Sequence, residues 1–410
     1  MIRKNLRENY NPLYFLAALG AGGLAVTFFI YLTFMVSHPG TPMVTFDHLW
    51  PIVTAGDPVA GALIGMAMLG IAFFTLLHLR LLVWNLIEFM RFRRTNAYEQ
   101  LFESNNEATL MTLPLTLAMS INVLFVNGAV FVPNLWSFVE YLFPFAILAF
   151  LAVGYLALRL YARFFTRVIS GGNFNNEENN NLGQMVAVFA FAMVGVGLAA
   201  PGAMSHHVEV NAIGIFGSTF FVTVALVMGM LKFVMGFKSM LQQGIAPAGS
   251  PSLWIVIPIL TLLGIAMIRV MFGLSHGFDE PVSTPWLFVL LSSILSMQLL
   301  FGILGYAVMK QVGYFDDFLR GKNRHPGSYA LICPGVALFV FGMFFVHFGL
   351  LKNDLIEQFS VAYFIVLAPL AFLQLKTLST LFKLNDRLLK PLSQDNVGNG
   401  AVPVSVGRQA

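Results

Sequence analysis

Long apolar runs recur ten times along the chain, and short polar segments separate them. A helix needs about 20 apolar residues to cross the hydrocarbon core of a bilayer. Backbone polar groups in lipid must be satisfied within the segment, so each run predicts a transmembrane helix. The pattern therefore predicts an all-α integral membrane protein. Its approximate spans are 13–36, 58–83, 109–132, 135–158, 182–204, 210–231, 252–274, 285–309, 328–351 and 357–382.

The positions of the basic residues test this count. With ten spans, every one of the 23 Lys and Arg lies on the side of the two chain termini, except Arg269 and Lys352. Lys and Arg concentrate in cytoplasmic loops. We therefore expect a multi-pass protein of the inner (cytoplasmic) membrane, with both termini in the cytoplasm.

The same pattern divides the chain into three parts. Residues 1–12 are expected to be a cytoplasmic N-terminus and residues 13–384 a ten-helix membrane domain. Residues 385–410 contain few large apolar side chains towards their end, which predicts a disordered cytoplasmic tail.

Composition narrows the function. The chain is 58% hydrophobic and 10% charged, whereas soluble proteins carry about 25% charged residues. Its single cysteine, Cys333, excludes an intrachain disulfide and a multi-cysteine metal site. We found no nucleotide-binding, metal-binding or cofactor-binding motif, and the basic residues lie in short loops instead of forming a nucleic-acid-binding face. We expect a non-enzymatic protein whose environment is the lipid bilayer.

Prolines suggest a repeat of helical hairpins. Pro114, Pro258 and Pro334 each lie about six residues inside an odd-numbered span, separated by about one or two hairpin lengths. Proline removes a backbone hydrogen bond and kinks a helix. The spacing favours five repeated hairpins, with the odd helices forming an inner ring around a pore. The alternative is that prolines are simply common in membrane helices.

A polar stripe follows one face of the third span. It consists of Thr112, Thr116, Ser120 and Asn127, at helical spacings of four and seven. Such a stripe is able to line a narrow pore, or to let two helices pack closely through small residues. The sequence leaves both interpretations open.

The chain resembles the tellurite-resistance/dicarboxylate transporter family, which includes TehA-like proteins and plant slow-type anion channels. The resemblance rests on ten helices in five hairpins, on the prolines of the odd spans and on the run Leu-Pro-Leu-Thr-Leu-Ala-Met from Leu113 to Met119. It implies a homotrimer with one anion-selective pore in each subunit. It also implies that a phenylalanine of the ninth span plugs the pore.

The chain departs from that pattern at the plug. Cys333, directly before Pro334, occupies the expected phenylalanine position. Phe189, Phe191 and Phe339 are the other candidates for an aromatic gate.

Basic groups cluster at the ends of the odd spans opposite the termini. Arg269 lies inside the seventh span, and His276 and His347 lie near the corresponding ends of the seventh and ninth spans. A charge inside a span is usually functional, so these residues predict an outer vestibule that attracts anions. Alternatively, Arg269 extends to the interface and the histidines are ordinary loop residues.

These patterns predict a channel or carrier for a small anion. No Asp or Glu lies near the middle of a predicted span, which favours a channel or uniporter over a proton-coupled pump. The rival hypothesis is a non-transporting accessory subunit of a larger membrane complex. The sequence leaves the anion open among inorganic ions, oxyanions and dicarboxylates.

Overall fold

A computed structural model describes residues 2–171 and 180–391. Within these residues, ten helices are long and apolar enough to cross a membrane, as expected for a multi-pass membrane protein. The predicted number of spans is confirmed. In chain order, spans 1 to 10 are Pro12–Met35, Pro58–Phe92, Asn105–Phe131, Val139–Gly171, Gly183–Met204, Val208–Gln243, Pro247–Phe278, Thr284–Gln311, Pro326–Asn353 and Val361–Leu388.

The even-numbered helices are longer than hydropathy predicted. Span 2 continues to Phe92, nine residues past the predicted boundary at residue 83. Apolar windows report only the length inside hydrocarbon. Helical hydrogen bonding continues beyond it, where charged side chains become favourable. Span 10 likewise runs to Leu388, past the predicted end of the membrane domain at residue 384, and residues 392–410 of the predicted tail lie outside the described residues.

The odd and even spans differ sharply in burial. Between 56% and 94% of the apolar segment of each odd span is buried, against 22% to 33% for each even span. Each odd span contacts the next odd span, and span 9 also contacts span 1. The even spans carry many of the exposed large apolar side chains, such as Leu69, Phe216 and Ile303. Their exposed faces are therefore suited to contact with acyl chains.

All five odd spans begin with a 3₁₀ segment that passes directly into an α-helix. The segments are Pro12–Tyr14, Asn105–Met111, Gly183–Met185, Pro247–Ile255 and Pro326–Leu331. Pro114, Pro258 and Pro334 are each the third residue of the α-helical part that follows.

This placement explains how the three prolines are tolerated in their helices. A proline in the first turn of an α-helix loses little, because N–H groups there lack an α-helical partner. The repeated feature of spans 3, 7 and 9 is thus a change from 3₁₀ to α geometry, and proline occupies the position where that change is least costly.

The end of the bundle that carries the chain termini, here called the terminal end, is tied together by the N-terminal segment. The Arg3 amide donates to the Leu389 carbonyl at 2.7 Å, so the first and last described segments meet. The carboxylate of Glu88, which is 1% exposed, accepts hydrogen bonds from the amides of Asn5 and Leu6 at 3.1 and 2.8 Å. Residues 2–11 are therefore part of the packed fold.

Tyr10 adds a second tie at this end. Burial, together with the Glu88 carboxylate, raises the pKa of Tyr10 well above its ordinary value. The hydroxyl therefore stays protonated and donates to Asn85 Oδ1 at 2.9 Å.

Glycines allow spans 5, 6 and 7 to cross in direct backbone contact at the opposite end. A Cβ atom at Gly214 would lie 2.7 Å from the Gly202 nitrogen and 2.9 Å from the Leu198 carbonyl oxygen. The buried Asn211 side chain donates to the carbonyls of Gly202 and Gly273, which joins the three helices.

We expect Gly214→Ala to lower the free energy of unfolding by about 2 kcal/mol, because backbone atoms have to separate to admit the methyl group. Gly302→Ala is the matched control, since nothing lies within 4 Å of its Cβ position. Thermal unfolding in detergent, followed by circular dichroism, compares the two variants. Equal midpoints for both would contradict the close crossing.

Candidate anion-binding cavity

A cavity of about 1050 Å³ lies between the odd spans. Within the described chain, its lining comes from all five odd spans and from the loops that follow spans 1 and 9. On span 7 the lining extends from Pro258 to His276, which is roughly 27 Å of helix at about 1.5 Å per residue. The hydrocarbon core is about 30 Å thick. The cavity therefore extends along the helices for a length close to that thickness, from the end opposite the termini, here called the mouth end.

Cys333, Pro258 and Phe189 line the deepest part of the cavity. One turn closer to the terminal end, the odd spans contribute fully packed side chains to the hydrophobic core, namely Leu16, Leu115, Met185 and Tyr329. Met185 and Tyr329 of this packed layer lie in 3₁₀ segments, and Leu16 and Leu115 lie in the first turn of the α-helices that follow such segments. The cavity is therefore closed towards the terminal end.

The structure separates the three candidate gate phenylalanines. Phe189 lines the cavity floor. Phe191 packs edge-on against Tyr161 at 5.4 Å, and Phe339 packs edge-on against Tyr31 at 5.1 Å, each with 0% exposure. Neither belongs to the cavity lining, and the same holds for Pro114 and Pro334.

Arg269 lines the cavity between its floor and its mouth. One guanidinium nitrogen, Nη1, donates to the Val196 carbonyl of span 5 at 2.8 Å. Among the described residues, no carboxylate lies within 4.0 Å of this guanidinium. Guanidinium carries five N–H donors, so most of them remain for a ligand. A positive charge without a carboxylate partner inside an apolar cavity is a strong feature for anion binding.

His276 and His347 both line the cavity, but their ring nitrogens differ in availability. His276 Nδ1 lies 3.0 Å from the Ala203 carbonyl, and Nε2 makes no hydrogen bond within the described residues. In His347, Nδ1 lies 2.8 Å from the Met343 carbonyl and Nε2 lies 3.0 Å from the Tyr363 hydroxyl. His276 is therefore available to a ligand, whereas His347 is engaged in the wall.

His347 is further fixed by stacking on Phe34, with ring centroids 4.3 Å apart. It lies in the π-helical segment Phe345–Leu350 of span 9. Such segments are frequent at functional sites. His347 thus forms a fixed part of the cavity wall near the mouth.

The mouth carries both signs of charge. Besides Lys352, its lining includes Asp354 and Glu357, which follow span 9. The mouth is therefore not uniformly positive, unlike the outer vestibule that the sequence predicted. Acidic groups lie at the rim, and the fixed positive charge of Arg269 lies deeper, between apolar walls.

The polar stripe of span 3 lies outside the cavity lining. Thr112 Oγ1 donates to the Pro12 carbonyl at 2.8 Å, and Thr116 Oγ1 approaches the Phe15 carbonyl at 3.3 Å. These contacts match the helix-packing interpretation, since both threonines are fully buried against span 1.

The rest of the stripe faces span 2. The Ser120 hydroxyl pairs with His78 Nε2 at 2.9 Å, and Asn127 donates to the Thr75 hydroxyl at 2.8 Å. Spans 1, 2 and 3 are thereby joined by polar contacts inside the membrane.

Several residues of the cavity lining were not predicted from the sequence. Met119, Met193, Val336 and Phe34 line the cavity without any polar or periodic signal that distinguishes them from core residues. Asn122 also lines it, and its signal was its polar side chain inside an apolar span. Gly20 and Gly23 had a signal, the Gly-rich stretch of span 1. Their Cβ positions would lie 2.7 and 2.9 Å from side-chain atoms of Ile332 and Val336, so they allow spans 1 and 9 to approach beside the cavity.

Comparisons of the chain with models of protein families, with curated proteins and with solved structures each found no match. The resemblance described above therefore rests on helix number, proline positions and the Leu113–Met119 run alone, and the cavity is interpreted from its own chemistry.

Proposed function

We propose that this protein is a membrane channel or carrier for anions, with the five odd spans as an inner ring around the transport pathway. Arg269 carries the proposal, because its guanidinium lies in the wall of a deep cavity with no carboxylate partner among residues 2–171 and 180–391. The greater burial of the odd spans, their mutual contacts and their shared 3₁₀ starts support a ring of five equivalent hairpins.

In this proposal the closed layer beneath Cys333 and Phe189 is the gate. The 3₁₀ segments Pro247–Ile255 and Pro326–Leu331 lie beside it, and such segments often mark hinges. Conversion between 3₁₀ and α geometry changes the helix rise from about 2.0 to about 1.5 Å per residue. It would move neighbouring core side chains enough to open the layer.

The rival hypothesis, a non-transporting accessory subunit, accounts for the apolar even spans equally well. It provides no reason for a cavity of about 1050 Å³ with a charged residue in its wall. Empty space and an intramembrane charge both cost stability, so we favour transport.

Assembly and location follow from the resemblance and the charge distribution. We propose a homotrimer with one pathway per subunit, whose lipid-facing even spans also form the subunit contacts. The positive-inside distribution of Lys and Arg supports a terminal end in the cytoplasm and a mouth on the outer side of the inner membrane.

Flux through proteoliposomes tests the proposal. Vesicles containing the full chain are loaded with chloride, nitrate, sulfite or a dicarboxylate, and charge balance is provided by potassium and valinomycin. We expect flux of at least one anion well above that of protein-free vesicles, and none of choline. Absence of anion flux under every applied gradient would support the accessory-subunit hypothesis instead.

A further inference from the structure

The cavity is much larger and more apolar than a small inorganic anion requires. A water molecule occupies about 30 Å³ in the liquid, and a small anion is of comparable size, whereas the cavity measures about 1050 Å³. Cavities of roughly 300–1000 Å³ with apolar walls and a few polar groups are typical of sites for organic ligands. Here the walls are mainly aliphatic, aromatic and thioether side chains, including Phe29, Val126, Met193, Ile265 and Val340.

The charges of the lining distinguish between classes of anion. Within the part of the chain that the structure describes, the cavity lining contains two basic residues of the Arg and Lys type. Arg269 lies deep in the cavity, whereas Lys352 lies at the mouth beside Asp354 and Glu357. A ligand with one negative charge is matched by the single guanidinium. A dianion would retain one unpaired charge between apolar walls, and it would first have to pass the two carboxylates.

A second polar group in the mouth half of the cavity lacks a partner. Thr33 Oγ1 is buried and makes no hydrogen bond within the described residues, although Thr33 lines the cavity. Buried hydroxyl groups are normally hydrogen-bonded. A ligand oxygen in the mouth half of the cavity would accept a hydrogen bond from the Thr33 hydroxyl.

The geometry points to an organic monoanion as the ligand of this cavity, with a single carboxylate or sulfonate at Arg269. Its apolar body, aromatic or branched, extends to the floor formed by Phe189 and Cys333. This inference rests on the proposed transport of anions and names the substrate class. It predicts that the dicarboxylates suggested by the family resemblance bind more weakly than such a monoanion.

Binding to the purified full chain tests the inference with four matched probes. The reference probe is 4-phenylbutyrate. Compared with it, butyrate lacks the aromatic body, 4-phenylbutanol lacks the negative charge, and suberate carries a second carboxylate. Isothermal calorimetry is expected to give an affinity for 4-phenylbutyrate at least tenfold above that for each of the other three. Arg269→Gln should lower this affinity to the level of the alcohol, whereas Arg320→Gln, at an exposed surface position, should leave it unchanged.

The floor is tested separately with Leu262→Trp, which narrows the cavity about one turn from Pro258. It should weaken 4-phenylbutyrate binding while leaving nitrate flux through proteoliposomes in place. If this variant fails to fold, the four probes on the unaltered chain decide the matter. Equal affinities for 4-phenylbutyrate and butyrate, alongside Arg269-dependent inorganic anion flux, would overturn this inference and leave anion transport standing. Absence of binding and of flux for every anion would overturn both.

Discussion

Replacing Arg269 by glutamine is expected to lower anion flux at least tenfold at low ionic strength and much less in high salt. Two charges about 8 Å apart interact by roughly 2 kcal/mol at an effective dielectric constant of about 20, and about 1.4 kcal/mol corresponds to a tenfold change in occupancy. Salt screens that interaction. The measurement is proteoliposome flux of the same anion at about 10 mM and about 500 mM ionic strength.

Two companion variants separate the field of Arg269 from its hydrogen bonds. Arg269→Lys keeps the charge and should retain most of the flux, although it loses the geometry of the contact with Val196. Arg320→Gln removes an exposed charge that pairs with Asp316, and should conduct like the parent. If Arg269→Gln conducts normally at low salt, Arg269 is an anchor to the wall and the cavity is not an anion site.

Replacing Glu88 by alanine is expected to release the N-terminal segment and to destabilise the protein by about 3 kcal/mol. The carboxylate is 1% exposed and serves three groups, the amides of Asn5 and Leu6 and the guanidinium of Arg91 at 2.6 Å. Removing one partner of a buried charged network costs about 3–5 kcal/mol. Hydrogen exchange of residues 2–14 should accelerate strongly, and the thermal midpoint should fall.

The control is Asp316→Ala, which breaks the ion pair with Arg320. Both side chains of that pair are about three-quarters exposed, at 75% and 74%. Such pairs contribute about 0–1 kcal/mol, so the midpoint should barely change. Equal effects of Glu88→Ala and Asp316→Ala would mean that the N-terminal segment contributes nothing to stability.

The number of helices followed from the sequence, because every membrane span needs about 20 apolar residues to cross the hydrocarbon core of the bilayer. The ends of the helices did not follow, since Arg91 and Arg167 lie in helical segments beyond the apolar windows and pair there with Glu88 and Glu107. Those partners come from tertiary contacts that a hydropathy pattern does not contain.

The sequence predicted a residue of the candidate site only where a charged side chain interrupts an apolar span. Arg269 stood out as a lone charge inside a span, and the structure places it in the cavity wall. The stripe from Thr112 to Asn127 shared one helical face as expected, but periodicity identifies a face without identifying its neighbour. That neighbour is the backbone of span 1 for Thr112 and the side chain of Thr75 for Asn127.

Cys333 allows entry of anions into the cavity from the mouth end to be measured directly. It is the single cysteine of the chain and lines the cavity floor, beyond Arg269 as seen from the mouth. Membrane-impermeant methanethiosulfonates of opposite charge are added to one side of proteoliposomes at a time, and Cys333→Ser provides the unlabelled control. We predict modification from the mouth side only, with the anionic sulfonate reagent faster than the cationic ammonium reagent, and loss of that preference in Arg269→Gln. A faster reaction of the cationic reagent, or labelling only from the terminal end, would contradict an anion-binding cavity that opens at the mouth end.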